Sequence, residues 1–155
     1  MTIEEGKPAP LFTLQNQRAA NVGLRDFRGK DVIVYFYPKD DTPGCTKEAK
    51  GFKDLCREIR AHGAEVIGIS PDSVESHLKF AKKYGLQFNL LSDPDKKVMR
   101  KYGAFGEKVL YGKPVVGVIR STVWIGADGK VVKHWRRVPK AADHPAKVLQ
   151  LLKSR

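Results

Sequence analysis

Apolar residues along the chain gather in short runs and in helical stripes, with Gly and Pro punctuating them at short intervals. The run Val32-Ile33-Val34-Tyr35-Phe36-Tyr37 is β-branched and aromatic, too short for a helix and stopped by Pro38, which predicts a central strand buried on both faces. Val66-Ile67-Gly68-Ile69 predicts a second strand of the same kind. Between them Phe52, Leu55, Cys56 and Ile59 recur at helical spacing, which predicts a helix from about Thr46 to Ala61 and parallel strands on either side of it.

The pattern continues in "PDSVESHLKFAKKYG", where Asp72 reads as an N-cap with Glu75 three residues on, and Val74, Leu78 and Ala81 mark one face. "LLSDPDKKVMRKYG" predicts a short strand and then a brief basic helix, capped by Asp93 with Pro94 in its first position. Val115 to Ile125 and Lys130 to Trp135 flank the turn "GADG" as an antiparallel hairpin. A last helix begins near Asp143 and carries Val148, Leu149 and Leu152. The order N-terminal β-hairpin, βαβ, αβα, β-hairpin, α predicts an α/β fold, a mixed central sheet flanked by helices.

With 155 residues and no repeat, low-complexity tract or linker, residues 1–155 read as a single domain able to close a core without staples. No apolar run is long enough for a membrane span, and "MTIEEGKPAP" carries neither a secretory nor a transit signature, so the expectation is a cytoplasmic protein. The net charge of +12 admits a polyanionic partner. Its lysines, however, are dispersed along helix faces, and "HWRRV" is one short cluster beside a hairpin, so no specific nucleic acid is expected.

Two widely spaced cysteines make neither a disulfide framework nor a Cys-x-x-Cys pair. Cys45 lies in "YPKDDTPGCTKEA", beyond the carboxyl end of the first central strand, where reactive groups of open α/β sheets gather. If Thr42 is the N-cap and Pro43 the first helical residue, Cys45 is third, facing unpaired N–H groups and the positive end of the helix dipole. Helix N-termini and neighbouring arginines favour thiolate over thiol, which supplies a nucleophile without a dedicated base. Taken alone, the same cysteine also reads as a small buried hydrophobe behind the strand, and Thr42 as an ordinary cap.

The segment "YFYPKDDTPGCTKEA" resembles the peroxidatic-cysteine segment of the peroxiredoxins, specifically the Q-type, bacterioferritin comigratory protein (BCP) branch of the AhpC/TSA family. The motif Pro-x-x-x-Thr-x-x-Cys is met by Pro38, Thr42 and Cys45. The similarity runs from "APLFTLQNQ" and "LRDFRGK" through "YGKPVVGVIRSTVWIGADGKV" to the terminal helix. It implies a thioredoxin-like fold with peroxiredoxin additions, and a thiol-dependent peroxidase of antioxidant defence without cofactor or metal. Cys45 would attack the terminal oxygen of a peroxide and become a sulfenic acid. By the same resemblance Thr42 contributes a hydroxyl, Pro38 shields the sulfur, and Arg120, on the strand facing the cysteine loop, holds thiolate and peroxide together. Glu48, one turn after Cys45, reads equally as a partner of Arg120 and as a solvated helix residue.

Many Q-type members carry a resolving cysteine five residues after the first, where this chain has Lys50, and residues 74–84 contain none. Cys56 is the remaining thiol, but eleven residues of helix separate it from Cys45 by roughly 16 Å, against the roughly 7 Å a disulfide tolerates. Bridging them would require the first turns to unwind, and Cys56 also reads as an inert member of the core stripe. The expected cycle therefore uses one cysteine, with thioredoxin, glutaredoxin or a small thiol as external reductant. Q-type relatives are often monomeric, which implies a monomer. A thiol redox sensor or chaperone-like protein on the same fold is the alternative. A cysteine hydrolase or a metal site finds no support in the placement of His62, His77, His134 and His144.

Overall fold

The computed structural model describes residues 3–155; the first two residues of "MTIEEGKPAP" lie outside the described residues. The chain opens with the predicted hairpin, β1 (Thr13–Gln15) and β2 (Asn21–Gly23), and a 3-10 turn. There follow β3 (Asp31–Phe36), α1 (Pro43–Ala61), β4 (Ala64–Ser70), α2 (Val74–Tyr84), β5 (Asn89–Ser92) and α3 (Lys97–Lys101). A second hairpin, β6 (Phe105–Leu110) and β7 (Lys113–Val118), precedes β8 (Ser121–Ile125), β9 (Val131–Trp135) and α4 (His144–Lys153).

Seven strands form one mixed sheet in the order β2-β1-β5-β4-β3-β8-β9. The middle of it, β5-β4-β3, is parallel, as the strand-helix-strand pattern requires, and β8 adds antiparallel to β3. Both faces are buried because β3 is apolar at every position after Asp31. Val32, Val34 and Phe36 enter one core with Ile67, Ile69, Met99 and Tyr102. Ile33, Tyr35 and Tyr37 enter the other, beneath α1, α2 and α4, with Phe52, Phe80 and Leu149. Successive side chains of a strand point to opposite faces, so one apolar run feeds two cores.

Four sequence expectations shift. The strand expected from Val115 to Ile125 is two: the chain leaves β7 at Val118, and Ile119 and Arg120 cross to the main sheet before β8. That crossing is fixed by backbone bonds from Ile119 N to Ala104 O, 2.7 Å, and from Val138 N to Arg120 O, 2.9 Å. Helix α2 is capped by Ser73, whose hydroxyl accepts from Ser76 N. Asp72 is unavailable for that role, since its carboxylate accepts from Ser70 Oγ and Asp40 N. The buried residues of α2 are His77, Phe80 and Ala81, while Val74 and Leu78 are only half-buried. Helix α3 starts at Lys97, three residues after Pro94, with Asp93 reaching forward to accept from Met99 N. Among the described residues no helix is long and apolar enough to cross a membrane.

Candidate active site

The site is assembled where β3 ends. Pairing of Phe36 with Ser121 leaves Arg120 one residue beyond the last matched position, beside the turn that returns the chain into α1. Helix α1 begins as the turn residues predict, with Thr42 as N-cap, Pro43 first and Cys45 third. The Thr42 side chain makes no capping bond; its hydroxyl instead donates to Lys39 O, 2.9 Å, and closes the 38–42 segment on itself. Pro38 is half-buried directly after Tyr37.

Cys45 is 1% exposed. Arg120 Nη2 donates to its Sγ at 3.2 Å, and Nη1 of the same guanidinium donates to Glu48 Oε1 at 2.6 Å. Arg120 therefore lies in the connection before β8 rather than on a strand, and Glu48 is its buried partner rather than a solvated residue. Gly44 permits this approach: a Cβ there would stand 3.3 Å from Arg120 Nη2. Burial works against the charge of Arg120, but Glu48 and Cys45 outweigh it and push its proton affinity up. Burial raises the Glu48 carboxyl from 4.5 to about 7, while Arg120 pulls it the other way. Its second oxygen, Oε2, has no hydrogen-bond partner. Beside Arg120 lies an open cleft of about 460 Å³, lined by Gly44, Lys47, Lys140 and Asp143.

The structure keeps Cys56 away from this site. Both cysteines are free and buried on the single unbroken helix α1, one near its start and one three turns on. Burial is the main influence that raises the Cys56 thiol, with Arg60 opposing it. Sequence reasoning did not bring Asp40, Asp72 and His77 together, yet their ligand-capable atoms lie within 4.8 Å of one another just behind the cysteine segment. Residues separated by 32 and 37 positions meet there, so no local spacing signals the cluster.

A cysteine at a helix N-terminus, bonded by a half-buried arginine at the carboxyl edge of a thioredoxin-like sheet, is an arrangement suited to a cysteine-dependent redox enzyme. The chain belongs to the AhpC/TSA family, whose model matches residues 6–134, and within it to the peroxiredoxins. It is 44% identical over 153 residues to peroxiredoxin Bcp of Bacillus subtilis, covering 99% of this chain and 97% of the relative. To peroxiredoxin Bcp of Escherichia coli it is 43% identical over 151 residues, with 97% and 96% covered. Among solved structures, the bacterioferritin comigratory protein of Xanthomonas campestris superposes with a TM-score of 0.89 at 39% identity, covering 97% of this chain and 98% of that one.

Proposed function

We propose that this peroxiredoxin is a thiol-dependent peroxidase that reduces hydrogen peroxide and organic hydroperoxides through Cys45. The observation that carries the reading is the 3.2 Å bond from Arg120 Nη2 to Cys45 Sγ, held in place by Glu48. The sulfur attacks the terminal oxygen of the hydroperoxide, the O–O bond breaks, Cys45 becomes a sulfenic acid, and the departing oxygen leaves as alkoxide or hydroxide and takes up a proton. Arg120 sets its donors where charge passes from sulfur to the departing oxygen, which fixed donors stabilise better than mobile water. Pro38 and the Thr42 hydroxyl shape the approach to the sulfur. The Xanthomonas campestris bacterioferritin comigratory protein has alkyl peroxide reduction activity, which supports organic hydroperoxides as substrates here.

The cycle uses one cysteine. An external thiol condenses with the sulfenic acid, releasing water and forming a mixed disulfide. A second thiol then displaces Cys45 as the free thiol, leaving the reductant oxidised. Thioredoxin, glutaredoxin or a small thiol fits this role, in a monomeric cytoplasmic protein of antioxidant defence. Support comes from Cys56, which is buried, raised toward the thiol form and roughly 16 Å along the helix from Cys45. Peroxide consumption with a thiol reductant tests both statements. Cys45→Ser is expected to abolish it and Cys56→Ser to leave turnover within about twofold. Full activity in Cys45→Ser removes the mechanism, and collapse of turnover in Cys56→Ser with a normal first oxidation makes Cys56 the resolving thiol. A single oxidation without sustained turnover would mark a redox sensor.

A further inference from the structure

Behind the cysteine segment, Asp40 sits at the centre of a buried network that the peroxide chemistry does not consume. Its Oδ1 accepts from the Tyr37 hydroxyl at 2.6 Å, and its Oδ2 accepts from the Ser76 hydroxyl at 2.8 Å. His77 Nδ1 lies 2.7 Å from the same Oδ2, and Nε2 of that ring lies 3.0 Å from the carbonyl oxygen of Leu91 on β5. The ring itself is 0% exposed.

A backbone carbonyl and a carboxylate can only accept, so His77 makes both of its bonds only when both ring nitrogens carry hydrogen. Both Asp40 oxygens already receive a hydroxyl hydrogen, which casts Asp40 as the acceptor of the cluster. Asp72 Oδ2 accepts from Asp40 N at 2.8 Å and from Ser70 Oγ at 2.6 Å, so hydrogen bonds account for the whole cluster and no cation is called for. A buried ring serving two acceptors on two different elements is a tether, since water cannot replace either bond.

We infer that His77 is a positioning residue for the peroxide site: doubly protonated, it ties Asp40, and with it the segment that bears Thr42 and runs into Cys45, to α2 and β5. The inference rests on Cys45 being the peroxide nucleophile. The next residue shows what the tether works against. Asp41 adopts φ 58°, a left-handed conformation uncommon outside glycine. It is held there by Lys83 Nζ at 2.7 Å and Tyr84 OH at 2.6 Å, both from α2. Two adjacent aspartates, one inside and one outside, thus bind the segment to one helix, while Tyr37 binds it to the end of β3.

The test has two arms. Nitrogen-15 NMR of the wild-type side chain near neutral pH is expected to show hydrogen bonded to both Nδ1 and Nε2 of His77; hydrogen on one nitrogen only overturns the inference. In single-turnover oxidation by hydrogen peroxide, Asp40→Asn is expected to lower the rate constant at Cys45 by roughly tenfold or more, since misplacement of reacting groups is steeply penalised. In the same variant the ring is expected to drop to one bound hydrogen. Ser76→Ala, which removes one donor and keeps the ion pair, is expected to show a smaller loss in the same direction. Unchanged oxidation in the folded variants overturns the positioning role. A wild-type protein whose Cys45 does not oxidise refutes the underlying peroxidase reading, whereas the NMR result reads the tether independently of it.

Discussion

Arg120 faces two acceptors with one planar group, the Cys45 sulfur at 3.2 Å and the Glu48 carboxyl at 2.6 Å. Lysine has the charge but not the planar fork, so it cannot reproduce the two fixed donor directions toward sulfur and carboxyl. Arg120→Lys is expected to lower the rate constant of Cys45 oxidation by roughly 10²-fold, the scale of one lost preorganised donor; stopped-flow oxidation by peroxide checks it, and a change below twofold contradicts it. Pro38, Thr42 and Cys45 stand in one linear motif and Arg120 in a segment of family resemblance, so their proximity could be anticipated, whereas the place of Arg120 in the connection before β8 rather than on a strand could not. Glu48 was half legible: its place one turn after Cys45 is in the sequence, but its burial depends on where Arg120 lands. His77 was not legible, because "SVESHLKF" offers Val74 and Leu78 as the apolar face and a core histidine is recognised only by acceptors 14 and 37 residues away.

Helix α1 carries Cys45 near its start and also seats α4. A Cβ on Gly51 would stand 2.8 Å from Pro145 Cγ, closer than real contacts allow, and a tight 3.3 Å from Pro145 Cβ. Gly51→Ala gains helix propensity but forces the two helices apart, and overpacking of this kind costs about 1–3 kcal/mol. Urea unfolding is expected to show a net destabilisation; a stabilised variant contradicts the packing. The parallel core strands and α1 were legible because their apolar runs have clear periods and stop at Pro38 and Gly63. The break between β7 and β8 was not, because the β-branched residues of Val115 to Ile125 read as one strand even across Arg120, Ser121 and Thr122. What divides it is a tertiary bond from Ile119 N to Ala104 O, which no pattern within the run encodes.

For the whole molecule, two buried groups tilt stability with pH in opposite directions. Burial pushes the Glu48 carboxyl up from 4.5 to about 7, so its contribution is complete below 4.5 and is lost as pH rises through about 7. Burial, aided by Lys147 and Arg120, pushes the His144 imidazole down from 6.5 to about 4, so its contribution is complete above 6.5 and is lost as pH falls through about 4. Between those limits the slopes oppose each other, and removing one exposes the other. The excess stability of wild type over Glu48→Gln is expected to fall as pH rises from 4.5 to about 7, by at most about 1.4 kcal/mol per unit. A difference that stays flat in chemical denaturation across that window contradicts the burial of Glu48. The α/β class was legible from the order of elements, whereas these slopes were not, since they arise from burial that only the packed molecule creates. The most direct measurement is intact mass with site mapping after one equivalent of hydrogen peroxide is added to the reduced protein. One added oxygen on Cys45, removed again by an external thiol and with Cys56 untouched, is the expected result; an unmodified Cys45, or oxygen found first on Cys56, contradicts it.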